Sequence, residues 1–142
     1  MKLPEAIIEI GKEARNEAND ALEGKLDVQE IVKIRLDTAE FYVEQARETL
    51  KASHVLASEM LFKAIVEGIK ALADYFGIRK ELRELPIYLE DILGEWIGNA
   101  WEIGKRLHYD GYIFEFLQQD DVQEYLKYVK EFVNNCKIAV LY

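Results

Sequence analysis

The chain has 142 residues, with 18 Lys plus Arg against 27 Asp plus Glu, a formal net charge of −9, two His, one Cys, two Pro and eight Gly. A chain of this length can bury about two-thirds of the surface its unfolded form exposes, so one compact domain over residues 1–142 needs no disulfide or metal to complete its core, and the lone Cys136 has no internal partner. No uncharged apolar run approaches the ~18 residues of a membrane span. The opening Met1-Lys2-Leu3-Pro4-Glu5 lacks the apolar stretch of a secretory leader, so the expected location is the cytoplasm. The acidic balance disfavours general nucleic-acid binding, because it repels phosphate backbones.

Apolar residues recur at three- and four-residue spacing almost throughout, without strand-like alternation, which predicts an all-α chain of about five helices. The first covers residues 4–23, with Ile7, Ile10, Ala14, Ala18 and Ala21 on a thin apolar side and Gly24 as its stop. The second opens at Asp27 as N-cap, with Glu30 three residues on, and runs to about Lys51. Val28, Val32, Leu36, Ala39, Val43, Ala46 and Leu50 form its apolar stripe, and Glu30, Lys33, Asp37, Glu44 and Glu48 its solvated face.

The third helix covers residues 53–76 and carries two stripes, Ala57, Leu61, Ala64, Gly68 and Ala71 beside Ile65, Ile69, Leu72 and Phe76. A helix apolar over so much of its circumference is central, and its small residues admit a close neighbour, the second helix across the short connection. Together they make a long antiparallel hairpin at the heart of a bundle. The fourth helix starts near Pro86 and shows Leu89, Ile92, Leu93, Trp96, Ile97, Ala100, Ile103 and Leu107, but Gly94, Gly98 and Gly104 predict close packing, a bend or a break. The last begins near Asp120, with Val122, Tyr125, Leu126, Val129, Phe132, Val133 and Cys136 inward. Residues 108–117 are rich in aromatics and fit no regular pattern. Thirteen of the 16 aromatic residues lie at or after Tyr75, so the second half is expected to hold any interface or pocket.

No Glu-x-x-His, His-Glu-x-x-His, paired Cys or Gly-x-Gly-x-x-Gly occurs, so neither a metal nor a cofactor is expected. Gly98 and Gly104-Lys105 miss the phosphate-loop spacing by one residue, and Arg106 stands where Ser or Thr belongs. His108 is the chief candidate for chemistry. It follows Lys105-Arg106 and precedes Tyr109-Asp110, so a titratable group, two cations and a carboxylate converge near a helix end. His108 would move a proton and Arg106 would stabilise developing charge on a phosphodiester, with Tyr112 as a third candidate. Lys105, Tyr109 and Trp101 are the candidate ligand contacts. The plainer reading makes His108 a partly buried histidine bonded to backbone at the helix end, where basic side chains suit the dipole. His54 reads as a surface residue, Cys136 as a small buried hydrophobe, and Asp120-Asp121 as a helix start.

The ordered combination of Arg35-Leu36-Asp37-Thr38-Ala39-Glu40-Phe41-Tyr42, Val43-Glu44-Gln45-Ala46-Arg47-Glu48-Thr49-Leu50, Ala57-Ser58-Glu59-Met60-Leu61-Phe62-Lys63-Ala64 and Ile69-Lys70-Ala71-Leu72-Ala73 resembles the archaeal PaREP family of paralogous-repeat proteins. Leu107-His108 followed by Gly111-Tyr112 and Glu115 is similar to that family's later motif, and Leu3-Pro4 to its N-terminal helix. The resemblance implies membership of the HEPN superfamily and an antiparallel helical bundle that often self-associates. Catalytic members of that superfamily are metal-independent ribonucleases of toxin and defence systems, with Arg, four to six residues, then His. Here Arg106 precedes His108 by a single intervening residue, and Arg47 and His54 straddle the hairpin turn. The expected function is therefore a non-catalytic cytoplasmic bundle that forms a homodimer and binds a protein partner or small ligand through its aromatic half. A HEPN-type ribonuclease or nucleotide-binding protein is the alternative, and a nucleotidyltransferase partner is a third reading that the superfamily allows.

Overall fold

The computed structural model describes residues 27–141, and the helix expected over residues 4–23 lies outside them. The described residues contain five α-helices and one π-helical turn: α1 (Val28–Thr49), α2 (His54–Phe76), α3 (Leu85–Leu93), α4 (Glu95–Arg106), the π turn (Leu107–Ile113) and α5 (Gln119–Leu141). No strand occurs among them.

Several helix ends follow from local chemistry. Asp27 caps α1 as its spacing predicts, its Oδ1 accepting from the Glu30 N–H at 2.8 Å. Ser53 does the same for α2, its Oγ accepting from Leu56 N at 3.1 Å. α2 stops at Gly77, where the Ile78 N–H returns to the Ala73 carbonyl at 2.9 Å, closing the last turn. At the start of α5 the Asp121 carboxylate accepts from Gln118 N at 2.9 Å, so the acidic run is a helix start.

The segment expected as one helix from Pro86 to Leu107 is broken at Gly94. That residue adopts φ 111°, ψ 179°, a conformation open almost only to glycine, and it ends α3 as it starts α4. Trp96 then folds back, its indole N–H donating to the Leu93 carbonyl at 2.9 Å.

The core sits around α2, which packs against α1, α3, α4, the π turn and α5. Leu61, Ala64, Ile65, Ile69, Ala71 and Leu72 of α2 are fully buried, as its double stripe predicts. The α1 stripe from Val32 to Leu50 is buried as well, but Val28 at its start is exposed, as is Ile92 of α3. The α1–α2 contact is held by polar groups too. Arg35 is buried in α1, and its Nε and Nη1 donate to Asp74 at 2.6 Å and Glu67 at 2.9 Å, both on α2. Cys136 is buried against α2 beside Phe132, and burial pushes its thiol far up from the ordinary value, which leaves it an inert core residue.

Candidate functional site

The π turn builds the site. Its bonds run five residues back, as from Phe114 N to the Tyr109 carbonyl at 2.8 Å, so each turn holds more than four residues. In that geometry side chains four apart come to lie over one another. His108 and Tyr112 do so, their rings 6.2 Å apart and 26° from parallel. Gly111 brings the turn onto α2, where Ser58, fully buried, donates its hydroxyl to the Leu107 carbonyl at 2.7 Å.

This docking delivers His108 to Glu59. The Nδ1 atom lies 2.7 Å from Glu59 Oε1, with 26 % of the histidine side chain and 18 % of the glutamate side chain exposed. The imidazole packs on Phe62 of α2 with ring centroids 4.6 Å apart and meets the edge of Tyr109 at 4.9 Å. Trp101 of α4 reaches the other end of the same cluster, 6.3 Å from Phe62. An ionised carboxylate only accepts hydrogen bonds, so in the neutral imidazole Nδ1 carries the proton and Nε2 presents a lone pair. His108 is thus neither a surface residue nor one bonded to helix-end backbone. Its partner is a carboxylate forty-nine residues earlier in the chain.

The cations next to it in sequence turn to other partners. Arg106 donates from Nη1 to the Tyr125 hydroxyl of α5 at 3.0 Å, a bond that pushes its guanidinium further up from its already high range. Lys105 pairs with Glu102 at 2.8 Å. These two side chains line a shallow open hollow with Glu102 and Asp110, in which the two cations meet two carboxylates. Arg106 and His108 therefore bond to different partners, Tyr125 on α5 and Glu59 on α2. Among the described residues no group of His, Cys, Asp or Glu is arranged to hold a metal ion.

Sequence reasoning missed Glu59, Ser58 and Phe62. The available signal was the polar pair Ser58-Glu59 between the apolar runs Val55-Leu56-Ala57 and Met60-Leu61-Phe62 of α2, but nothing in the linear order tied it to His108. Beyond the dyad, the chain exposes Tyr109, Tyr112, Ile113, Phe114 and Phe116 within eight residues, and Phe114 and Phe116 stack at 5.5 Å with their rings 16° apart. Glu115 between them takes φ 58°, turning the backbone so that both rings stay together. The turn is tied down from its far side, where Phe116 N and Leu117 N donate to the Asp110 carbonyl at 2.6 and 3.2 Å.

No helix among the described residues is long and apolar enough to cross a membrane. No curated protein and no solved structure matches the chain significantly. The model of the archaeal PaREP1/PaREP8 family matches residues 34–133, from the buried face of α1 through the Glu59–His108 site and most of α5, and the chain belongs to that family.

Proposed function

We propose that this protein is a self-associating helical bundle of HEPN-like, antiparallel architecture, which forms a cytoplasmic homodimer and binds a protein partner or small ligand through its aromatic half. The antiparallel reading is supported by pairs that run in opposite directions along the two helices, Arg35 early in α1 with Asp74 late in α2, and Tyr42 further along α1 with Lys63 further back in α2. The observation that carries the self-association is the exposed aromatic segment of residues 109–116. Stable monomers rarely expose a contiguous apolar patch of this kind, and pairing two copies would remove it from water. At about 25 cal/mol per Å² of apolar surface, covering Phe114 and Phe116 alone would contribute a few kcal/mol.

Light scattering on the purified chain tests this. The wild type is expected at twice the chain mass, and Phe114→Ser with Phe116→Ser at the single-chain mass with unchanged helicity. A wild type that stays monomeric at high concentration overturns the reading.

A metal-independent ribonuclease using Arg106, His108 and Tyr112 remains the rival in a different class. Within one chain Arg106 is held by Tyr125 and His108 by Glu59, so this reading requires an arginine from elsewhere, and the net charge of −9 opposes RNA. Chelator-resistant cleavage of a mixed RNA pool that disappears in His108→Ala would establish it over the binding module.

A further inference from the structure

We infer that Glu59 and His108 form a general-base site for neutral, flat-ring ligands, in which His108 Nε2 accepts the proton and Glu59 is the positioning residue. Three observations carry this. At 2.7 Å from a carboxylate oxygen, Nδ1 is the nitrogen that carries the proton in the neutral ring, which leaves the lone pair on Nε2. Phe62, Tyr109 and Tyr112 pack around the imidazole, which restrains its rotation, while about a quarter of the side chain still reaches solvent. A buried serine hydrogen bond and a tight glycine contact hold the π turn on α2 and so bring the two distant segments together. A carboxylate–histidine pair with an open ring nitrogen is the arrangement by which a histidine is held ready to take a proton.

The surroundings select the ligand. Glu59 lies directly against the imidazole and the chain as a whole is acidic, so phosphates and other anions are repelled. The aromatic side chains offer faces and edges on which a planar ring can stack. A neutral aryl ester satisfies both conditions and reports on the chemistry. Water attacks its carbonyl carbon as His108 Nε2 takes a proton from that water; the bond from the acyl carbon to the aryl oxygen then breaks. The aryl oxide leaves with the electron pair, and the proton on Nε2 passes to it or to solvent. The products are the acid and the phenol, with no oxidant or metal required.

The test uses the full chain with p-nitrophenyl acetate and, separately, nitrogen NMR of the histidine rings. His54 is the only other histidine, so the two signals can be told apart with one variant. Wild type is expected to hydrolyse the ester well above the rate of two free imidazoles, with His108→Asn about 10²-fold slower and His54→Asn unchanged. Glu59→Gln is expected to be about tenfold slower, with far-UV circular dichroism unaltered. The His108 spectrum should show an unprotonated Nε2 in the wild type and lose that single-tautomer signature in Glu59→Gln. Wild-type hydrolysis no faster than free imidazole, or equal rates for wild type and His108→Asn, overturns the base. Unaltered rate and tautomer in Glu59→Gln overturn the positioning role. The Glu59–His108 contact lies within one chain, but Tyr109 and Tyr112 belong to the segment proposed to pair, so the rates are also compared in the Phe114→Ser, Phe116→Ser background, where retained His108-dependent hydrolysis separates the two readings.

Discussion

At Gly111 the protein has no room for a single methyl group. A Cβ there would run into the Ser58 hydroxyl and come within 2.8 Å of Ser58 Cβ, and neither can yield, because Ser58 is fully buried and committed to the Leu107 carbonyl. Gly111→Ala is expected to cost about 1–3 kcal/mol by overpacking and to loosen the π turn. Urea denaturation would measure the loss, and an unchanged midpoint would show that the contact is less tight than drawn. Tyr42 gives a prediction of a different kind. Burial first, and the Glu67 carboxylate second, push its phenol up from the ordinary value of 10.0. The unfolded chain therefore releases this proton at a lower pH than the folded one. Its contribution to stability is complete below pH 10.0 and is lost as pH rises toward the folded value. Tyr42→Phe should flatten the decline in unfolding midpoint between about pH 9 and about pH 11, and parallel declines in both proteins would contradict it.

Among the elements, α1 and α2 were the most legible in the sequence and the aromatic segment the least. Asp27, Ser53, Gly77 and the stripe from Val32 to Leu50 act through contacts within a few residues or along one helical face, and such short-range rules can be read from spacing. Gly94 was visible as a weak point, yet whether it bends or breaks the helix depends on how α3 and α4 pack, which spacing alone does not contain. The π turn was invisible because its extra residue per turn shifts the periodicity that a helical reading relies on. For the same reason His108 was found as a candidate while its carboxylate was not: Glu59 is a neighbour only once the turn has docked. Arg35 shows the same limit in the core. Its place on α1 is plain, but its partners Glu67 and Asp74 come from α2, and no local pattern announces a buried cation. Arg35→Ala leaves both carboxylates without their donor, and Asp74, about a third exposed, recovers part of its hydration. The expected loss is about 1–3 kcal/mol, read as a lower thermal midpoint. A variant as stable as wild type would mean that the pair only offsets its own desolvation.

Among the described residues, a central helix carries the other elements, and the candidate site forms where the π turn meets that helix. The π turn supplies His108 to Glu59 of α2, and the segment after it holds the stacked Phe114 and Phe116, so the candidate site joins the core helix to the irregular part of the chain. The Phe114 and Phe116 rings stack on each other, and the imidazole packs on Phe62, Tyr109 and Tyr112, so side-chain substitutions at Phe114 and Phe116 address one proposal and His108→Asn the other.

The central place of α2 also governs how the protein opens. An amide exchanges its hydrogen for solvent deuterium when its hydrogen bond opens to water, and the buried middle of α2 stays covered by its other neighbours when any one of them moves away. Its buried stretch from Leu61 to Leu72 should exchange only when the entire chain unfolds, at a rate that tracks global stability. The amides of α3, a nine-residue helix with Ile87, Tyr88 and Ile92 facing water, should exchange long before that. The Glu59–His108 pair spans this boundary, with Glu59 anchored in the slowest-exchanging helix and His108 on a turn that must dock to reach it.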